Sequence, residues 1–494
     1  MGKILSKAIG NIIEILYIVL CLFILAVNIT GTVNGANVYA NSFAVSNVVL
    51  VFAGVVLGII VLKFLSGRLN RGSFNRNILI MSVILLVLQI FIVNMIFAYC
   101  EFDPGIIRRG ALDYIQIRGD HEFYRVYFEQ NANNIPLAFV TKKFIELGNI
   151  LGIDGYKILV YVGVVLTNIT IAIMAKTIYI YTDSKKMAEV GFIFGACLLG
   201  LSPWIMVPYS DVLSLFIPVL ELYIYVHFNK SWYRYILLAI IPLLGFMIKP
   251  TNVIVLIAVI IIEIYNALAG KYSRKDAAWC MLSIILSLVI VVSLRGYIYN
   301  ALNYEVNEAS NKPMTHYLMM GLNEEQAGTY NWEDDQYTSS FQTKADKIDG
   351  NVDVIRQRLS QMGPMGFVKF EINKMRLDFG DGTFGWGCWS LDEPQNNSAL
   401  AKVVQNVFYK NGRFYRIYST VVHLIWMIVL CGQVLYMVGG REDKSNKEAL
   451  LKLIIVGFTL YLMLFEGGSR YVFHYVPVFI VAALSGIARI EKGK

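Results

Sequence analysis

Runs of about twenty apolar residues recur along this chain, and no other feature constrains its fold as tightly. A helix needs about that length to cross a hydrocarbon core. Inside lipid only a helix or a closed barrel satisfies its own backbone. We read twelve spans, near residues 11–33, 46–65, 77–99, 156–181, 189–207, 211–228, 233–248, 251–268, 277–299, 416–438, 449–466 and 471–488. The expected class is an all-α polytopic membrane protein. Of the 494 residues, 56% are hydrophobic and 16% charged, against about a quarter charged in soluble domains.

The net charge of +8 then reads as topology rather than as affinity for nucleic acid. Arg68, Arg71 and Arg76 share one short connection, and Lys185 and Lys186 another. Lys230 with Arg234, Lys271 with Arg274 and Lys275, and Arg441 with Lys444 and Lys447 fall in three more, and Arg489, Lys492 and Lys494 close the tail. An even span count puts all of these on one face, which the positive-inside rule makes cytoplasmic together with both termini. Lys3 and Lys7 before the apolar run from Ile12 read as a signal anchor rather than a cleaved leader. The expected layout is an N-terminal hairpin (1–76), a transmembrane core (77–299) with a first outer loop over 100–155, an outer domain (300–414) and C-terminal helices (415–494). The outer domain is expected to be small and mixed. Within it, helices over 351–359 and 367–377 are broken at Gly363-Pro364.

Ionisable residues gather where spans meet the outer face. Asp103 stands in Glu101-Phe102-Asp103-Pro104-Gly105, directly after the third span, ahead of amphipathic sequence with Arg108, Arg109, Tyr127, Asn133 and Asn134. Tyr209 and Asp211 lie between spans five and six, Lys249 between seven and eight, and Glu466, Arg470 and Tyr471 between eleven and twelve. Charges at that depth are costly, and they face a wet cavity or a partner. Each also has a plain reading. Asp103 is either a boundary marker or a general base. Asp211 is either a helix cap or part of the site. Lys249 is either a snorkelling side chain or a phosphate contact. Arg109 is either a lipid-headgroup contact or a donor contact. His316 reads as a hydrogen-bonded structural histidine before a ligand, and Asp334-Asp335 as solvated surface. Tyr330, Trp332, Trp386 and Trp389 are candidate sugar-stacking faces, although interfacial aromatics need no such role.

This combination resembles the GT-C superfamily of integral-membrane glycosyltransferases, which includes protein O-mannosyltransferases and the lipid A aminoarabinose transferase. It is most similar to a bacterial branch found mainly in Gram-positive organisms. The pieces that carry the resemblance are Phe102-Asp103-Pro104-Gly105, Tyr127-Phe128 with Asn133-Asn134, Pro208-Tyr209-Ser210-Asp211 and Ile248-Lys249-Pro250. To these add residues 315–322 with Gly328-Thr329-Tyr330-Asn331, and Glu466 with Ser469-Arg470-Tyr471. The resemblance implies inverting transfer of a sugar from a polyprenyl-phosphate donor to a glycan, lipid or protein acceptor outside the cytoplasm, in the cell membrane. It implies Asp103 as catalytic base and Lys249, Arg470, Tyr471 and Arg109 at the donor phosphate. Asn133, Asn134, Tyr209, Asp211, His316, Asp335 and Glu466 would line the substrate. Some relatives pair two acidic residues where this chain has Asp103-Pro104, and here the first loop follows the third span rather than the first.

Two rival classes stay open from sequence: a lipid-linked glycan transporter or flippase, and a polysaccharide polymerase or ligase. The polar residues favour one face over the bilayer midplane where transporter sites lie. No cysteine or histidine spacing marks a metal site, and use of a divalent metal is left open. Cys100 and Cys388 fall on the same face, where a disulfide between them is conceivable.

Overall fold

The computed structural model describes residues 2–30, 47–66, 73–114, 122–270, 273–388, 391–437 and 446–492. Arg68, Arg71, Lys271, Trp389, Arg441, Lys444 and Lys494 lie outside the described residues. The chain opens with three apolar helices, α1 (Gly2–Thr30), α2 (Asn47–Ser66) and α3 (Phe74–Ile96). Amphipathic helices follow: α4 (Phe102–Arg109), α5 (Glu122–Gln130) and α6 (Ile135–Leu151). Next come α7 (Gly155–Thr182), α8 (Lys185–Gly195), the single turn α9 (Ser210–Leu213), α10 (Phe216–His227), α11 (Trp232–Phe246), α12 (Val253–Leu268) and α13 (Arg274–Ala301). The segment expected outside holds α14 (Met314–Gly321), α15 (Trp332–Ser340), α16 (Lys344–Phe379) and α17 (Ala399–Phe408). The chain ends with α18 (Tyr415–Leu435), α19 (Asn446–Leu464), α20 (Ser469–Phe473) and α21 (Val476–Glu491).

The described residues of the twelve apolar segments are largely helical, yet among them only seven stretches are long and apolar enough to cross a membrane. These are Ala8–Thr30, Phe74–Ile96, Gly155–Thr182, Ser210–His227, Pro250–Leu268, Arg274–Ala301 and Tyr415–Leu435. Four of the other segments fall short for local reasons. α8 runs only 11 residues before its backbone loosens into a π-turn at Ala196–Gly200. α11 has 15 residues with Pro242 inside, about 22 Å of helix. α19 carries Lys447, Glu448 and Lys452. α21 has 16 residues and is buried on almost every side, as suits the central helix of a bundle. α13, by contrast, exposes Met281, Ile285, Val289 and Val292 and turns only a narrow face inward, with Ser283 and Ser287 buried. Small side chains of that kind let helices approach closely in lipid.

α7 has 28 residues, about 42 Å, and separates two chemically different ends. At its C-terminal end the basic residues gather. Lys186 pairs with Glu491 at 2.9 Å, Arg489 with Glu448 at 2.5 Å, Lys492 donates to the Thr182 carbonyl, and Tyr181 donates to the Lys447 carbonyl. At its N-terminal end Asp154 caps the helix and accepts from Tyr99 at 2.7 Å, beside the start of α4.

The segment between α13 and α18 is helical, and among the described residues the only β pairing is a single bridge between Cys100 and Leu391. This corrects the expectation of a mixed domain. α16 divides at Gly363 (φ 56°), where Pro364 removes a backbone donor, as its sequence predicts. The segment is tied to the first loop. Tyr304 donates to the Phe128 carbonyl at 3.0 Å, and Lys312 N–H to that of Gln130 at 3.0 Å. Cys100 and Cys388 are not joined in a disulfide. Trp386 is buried, its indole N–H bonded to the Phe408 carbonyl at 2.7 Å and its ring against Trp204, so it offers no face to a sugar. Trp332 and Tyr330 are exposed.

Candidate functional site

Asp103 sits in the first turn of α4 rather than in an open turn. The residue before it, Phe102, takes φ 56°, a region that side chains other than glycine rarely occupy. Such strain clusters where a fold must hold a group in one place. Where α4 runs on into the π-turn Gly110–Tyr114, a Cβ on Gly110 would stand 2.2 Å from the Phe128 ring. That glycine lets α5 lie against the π-turn and brings Tyr127 to the carboxylate. Tyr127 Oη donates to Asp103 Oδ1 at 2.8 Å, and Tyr209 Oη donates to Oδ2 at 3.3 Å. Asn134 Nδ2 donates to Tyr127 Oη at 2.7 Å, and Asn133 Nδ2 to Asn134 Oδ1 at 3.3 Å. Asp103 is half-buried, so each oxygen is fixed by one phenol while the group still meets its surroundings.

Tyr209 is the hinge between this carboxylate and the cations. The Arg470 guanidinium lies 5.3 Å from its ring centroid and 5.4 Å from that of Tyr471. Arg470 Nε is also 3.7 Å from Asp211 Oδ2. On its other oxygen Asp211 accepts from Lys249 Nζ at 2.6 Å, and Lys249 lies 4.8 Å from the Tyr471 ring centroid. Asp211 therefore acts as an ion-pair partner rather than a helix cap. Lys249 is buried and committed to it, which rules out the snorkelling reading. The Lys249 turn is pinned from below, because Asn252 contacts His474 Nε2 at 2.9 Å and Tyr475 Oη donates to the Thr251 carbonyl at 2.7 Å. Removing one partner of such a pair leaves a buried charge alone and costs ~3–5 kcal/mol. We expect Lys249→Ala to lower the thermal unfolding midpoint sharply, and Lys249→Met with Asp211→Asn to recover most of it. An unchanged midpoint in Lys249→Ala would mean the pair contributes nothing.

Tyr471 Oη donates to Glu466 Oε1 at 3.4 Å. Enclosure, opposed by Arg470 and reinforced by Asp103, pushes the Glu466 carboxyl up to about 7. His316 and Asp335 form a neighbouring block. Asp335 pairs with Lys312, and His316 Nδ1 meets Thr338 Oγ1 at 2.8 Å. Burial, with Lys312 and Lys347 nearby, pushes His316 down to about 3, so its 3.6 Å approach to Asp335 is no ion pair. The structural reading of His316 holds. The solvated reading of Asp334-Asp335 does not: both are buried, and Arg358 grips Asp334 through two contacts of 2.6 and 3.0 Å. Glu466 N–H donates to the Tyr317 carbonyl at 2.9 Å, which joins this block to the first. Arg109 stands apart, its nearest partner being Tyr124 Oη at 3.5 Å.

Asp103, Tyr209, Asp211, Lys249, Arg470, Tyr471 and Glu466, drawn from four separate turns, thus form one connected cluster. Sequence reasoning gave no site role to Tyr127 or Lys312. Tyr127 meets Asp103 across 24 residues, and no local pattern links the two. Among the described residues no group of three or more His, Cys, Asp or Glu side chains is placed to hold a metal ion. Two cavities, of about 330 and 380 Å³, lie elsewhere, one lined by Asn94, Lys157 and Asn396 and the other by Asp392, Tyr409 and Lys410.

No curated protein and no solved structure matches the chain. A family model does, over residues 5–488, and it describes a conserved hypothetical integral membrane protein. With the apolar helices above, that match covers nearly the whole chain, and the protein belongs to this family of integral membrane proteins.

Proposed function

We propose that the protein is a polytopic glycosyltransferase of the cell membrane, with twelve helical segments and its site on the extracytoplasmic side. In this reading it moves a sugar from a polyprenyl-phosphate donor to a hydroxyl acceptor. The observation that carries the reading is the short path from a half-buried carboxylate to a guanidinium through one tyrosine: Asp103, Tyr209, Arg470.

The chemistry needs two things that this arrangement supplies. A base takes the acceptor proton as the acceptor oxygen forms its bond to the anomeric carbon, and Asp103, fixed by two phenols, takes that role. On the opposite face the bond from the anomeric carbon to the phosphate oxygen breaks, and the electron pair leaves with the prenyl phosphate. Arg470 answers that charge, since a guanidinium fork matches phosphate oxygens. Preorganised charge of this kind is often the largest catalytic contribution. Lys249 and Asp211 hold Arg470 in place rather than touching the donor. The donor's lipid stays in the bilayer, so no nucleotide site is required. To test this, purified protein is offered a panel of polyprenyl monophosphate sugars and the release of prenyl phosphate is followed. Release from at least one donor is expected, and none from any donor would overturn the reading.

Glu466 adds a pH dependence with a defined sign. Below about 7 its carboxyl is protonated and Arg470 keeps its charge for the phosphate; above about 7 the carboxylate competes for it. Transfer is therefore expected to fall from about pH 6 to about pH 8. Glu466→Gln is expected to flatten that limb, and an identical limb in the variant would remove Glu466 from the account.

A further inference from the structure

Lys374 lies on α16, outside the cluster, and no part of it reaches solvent. A buried ammonium is costly unless every proton finds a partner. Here all three do, on backbone oxygens. Nζ donates to the carbonyls of Gly321 at 2.6 Å, Phe465 at 2.8 Å and Met463 at 3.2 Å. Gly321 is the last residue of α14, and Met463 and Phe465 bracket the end of α19. The final carbonyls of a helix have no partner within it and carry the negative end of its dipole. One ammonium thus caps two helices at once, and two buried carboxylates on the same helix, Glu371 and Asp378, flank it.

The backbone around this cap is packed without slack. A Cβ on Gly321 would stand 2.5 Å from the Phe465 carbonyl carbon, and one on Gly328 would stand 2.6 Å from Lys374 Cε. Gly467 N–H donates to the Gly328 carbonyl at 2.9 Å. A Cβ on Gly467 would stand 2.9 Å from Asp378 Oδ1. The turn held in this way runs straight into Glu466, Arg470 and Tyr471. α14, held by the same ammonium, carries His316.

We propose that Lys374 is a positioning residue for the transfer site: by capping α14 and α19 together it sets the turn that presents Glu466, Arg470 and Tyr471 to Asp103. The role in transfer rests on the function proposed above, whereas the clamp itself does not. The experiment follows amide hydrogen exchange over residues 463–471 in the full chain, in lipid nanodiscs, for wild type and Lys374→Met. Exchange in that segment is expected to rise about tenfold or more while α21 stays protected. With an active donor, kcat is expected to fall about 100-fold, the scale of a 1 Å misplacement, with the donor KM little changed. Gly321→Ala, whose Cβ would stand 2.5 Å from the Phe465 carbonyl carbon and 2.6 Å from the Leu464 oxygen, parts the two capped ends while leaving the Lys374 side chain unchanged. It is expected to raise exchange over 463–471 as well and stands in should Lys374→Met not fold. Unchanged exchange over 463–471 in a folded Lys374→Met, or in Gly321→Ala where the lysine variant does not fold, overturns the clamp. Raised exchange with wild-type kcat overturns its role in transfer. A wild-type protein that uses no donor sinks the transfer reading, and the exchange result still decides the clamp.

Discussion

Asp103→Asn is expected to reduce sugar transfer by about 10²–10⁴-fold, the range for losing a positioned general base. The amide keeps the shape of the carboxylate and accepts the Tyr209 or Tyr127 hydrogen bond through one oxygen, so the fold survives. It no longer takes a proton from the acceptor. The measurement is the initial rate of prenyl phosphate release, with the unfolding midpoint recorded beside it. A variant that turns over near the wild-type rate would remove Asp103 from the chemistry. Tyr127→Phe separates orientation from proton transfer, since it removes the 2.8 Å hydrogen bond and leaves the base in place.

Arg470→Ala carries the second large effect. It deletes the guanidinium that lies between the Tyr209 and Tyr471 rings and faces Asp211. Loss of one preorganised charge-stabilising group costs about 10²–10³-fold in kcat, and the same loss is expected here. Arg470→Lys is expected to recover only part of it, because an ammonium supplies the charge without the planar fork. The two variants are compared on kcat and donor KM at a pH below 7, where Glu466 holds its proton. If Arg470→Ala changes neither constant, the donor phosphate sits elsewhere.

The two variants probe groups that the sequence brought to notice for one reason. Apolar runs end abruptly at Asp103, Asp211, Lys249 and Glu466, and an ionisable residue at the edge of such a run is conspicuous. Hydropathy therefore located the turns. It was silent on what each side chain does there, because the partners come from remote turns. Lys249 and Asp211 are 38 residues apart, and Tyr209 and Asp103 are 106 apart. Lys249 consequently reads as a snorkelling side chain or a phosphate contact when it is half of a buried pair. Asp334 and Asp335 misread the same way, since neither Arg358 nor Lys312 is close enough in sequence to reveal the burial. The break at Gly363-Pro364 was legible because backbone geometry is local. The span count was less so: Pro242, the π-turn at Ala196–Gly200 and the charges of α19 shorten or polarise helices that composition alone reads as full crossings.

Lys374 marks the limit of such reading. Its three partners are main-chain carbonyls on two other helices, and backbone oxygens leave no trace in residue identity. A lysine in the middle of an amphipathic helix looks like solvated surface until the ends of α14 and α19 are found converging on it.

Where an isoprenoid phosphate docks decides the central claim. A polyprenyl monophosphate carrying a photoreactive group beside its phosphate is incorporated into nanodiscs with the wild-type protein, irradiated, and the labelled peptides are identified. The account expects label on the peptides containing Tyr209 and Arg470, and its loss in Arg470→Ala. Label confined to the basic end, around Lys186, Lys447 and Arg489, would contradict it.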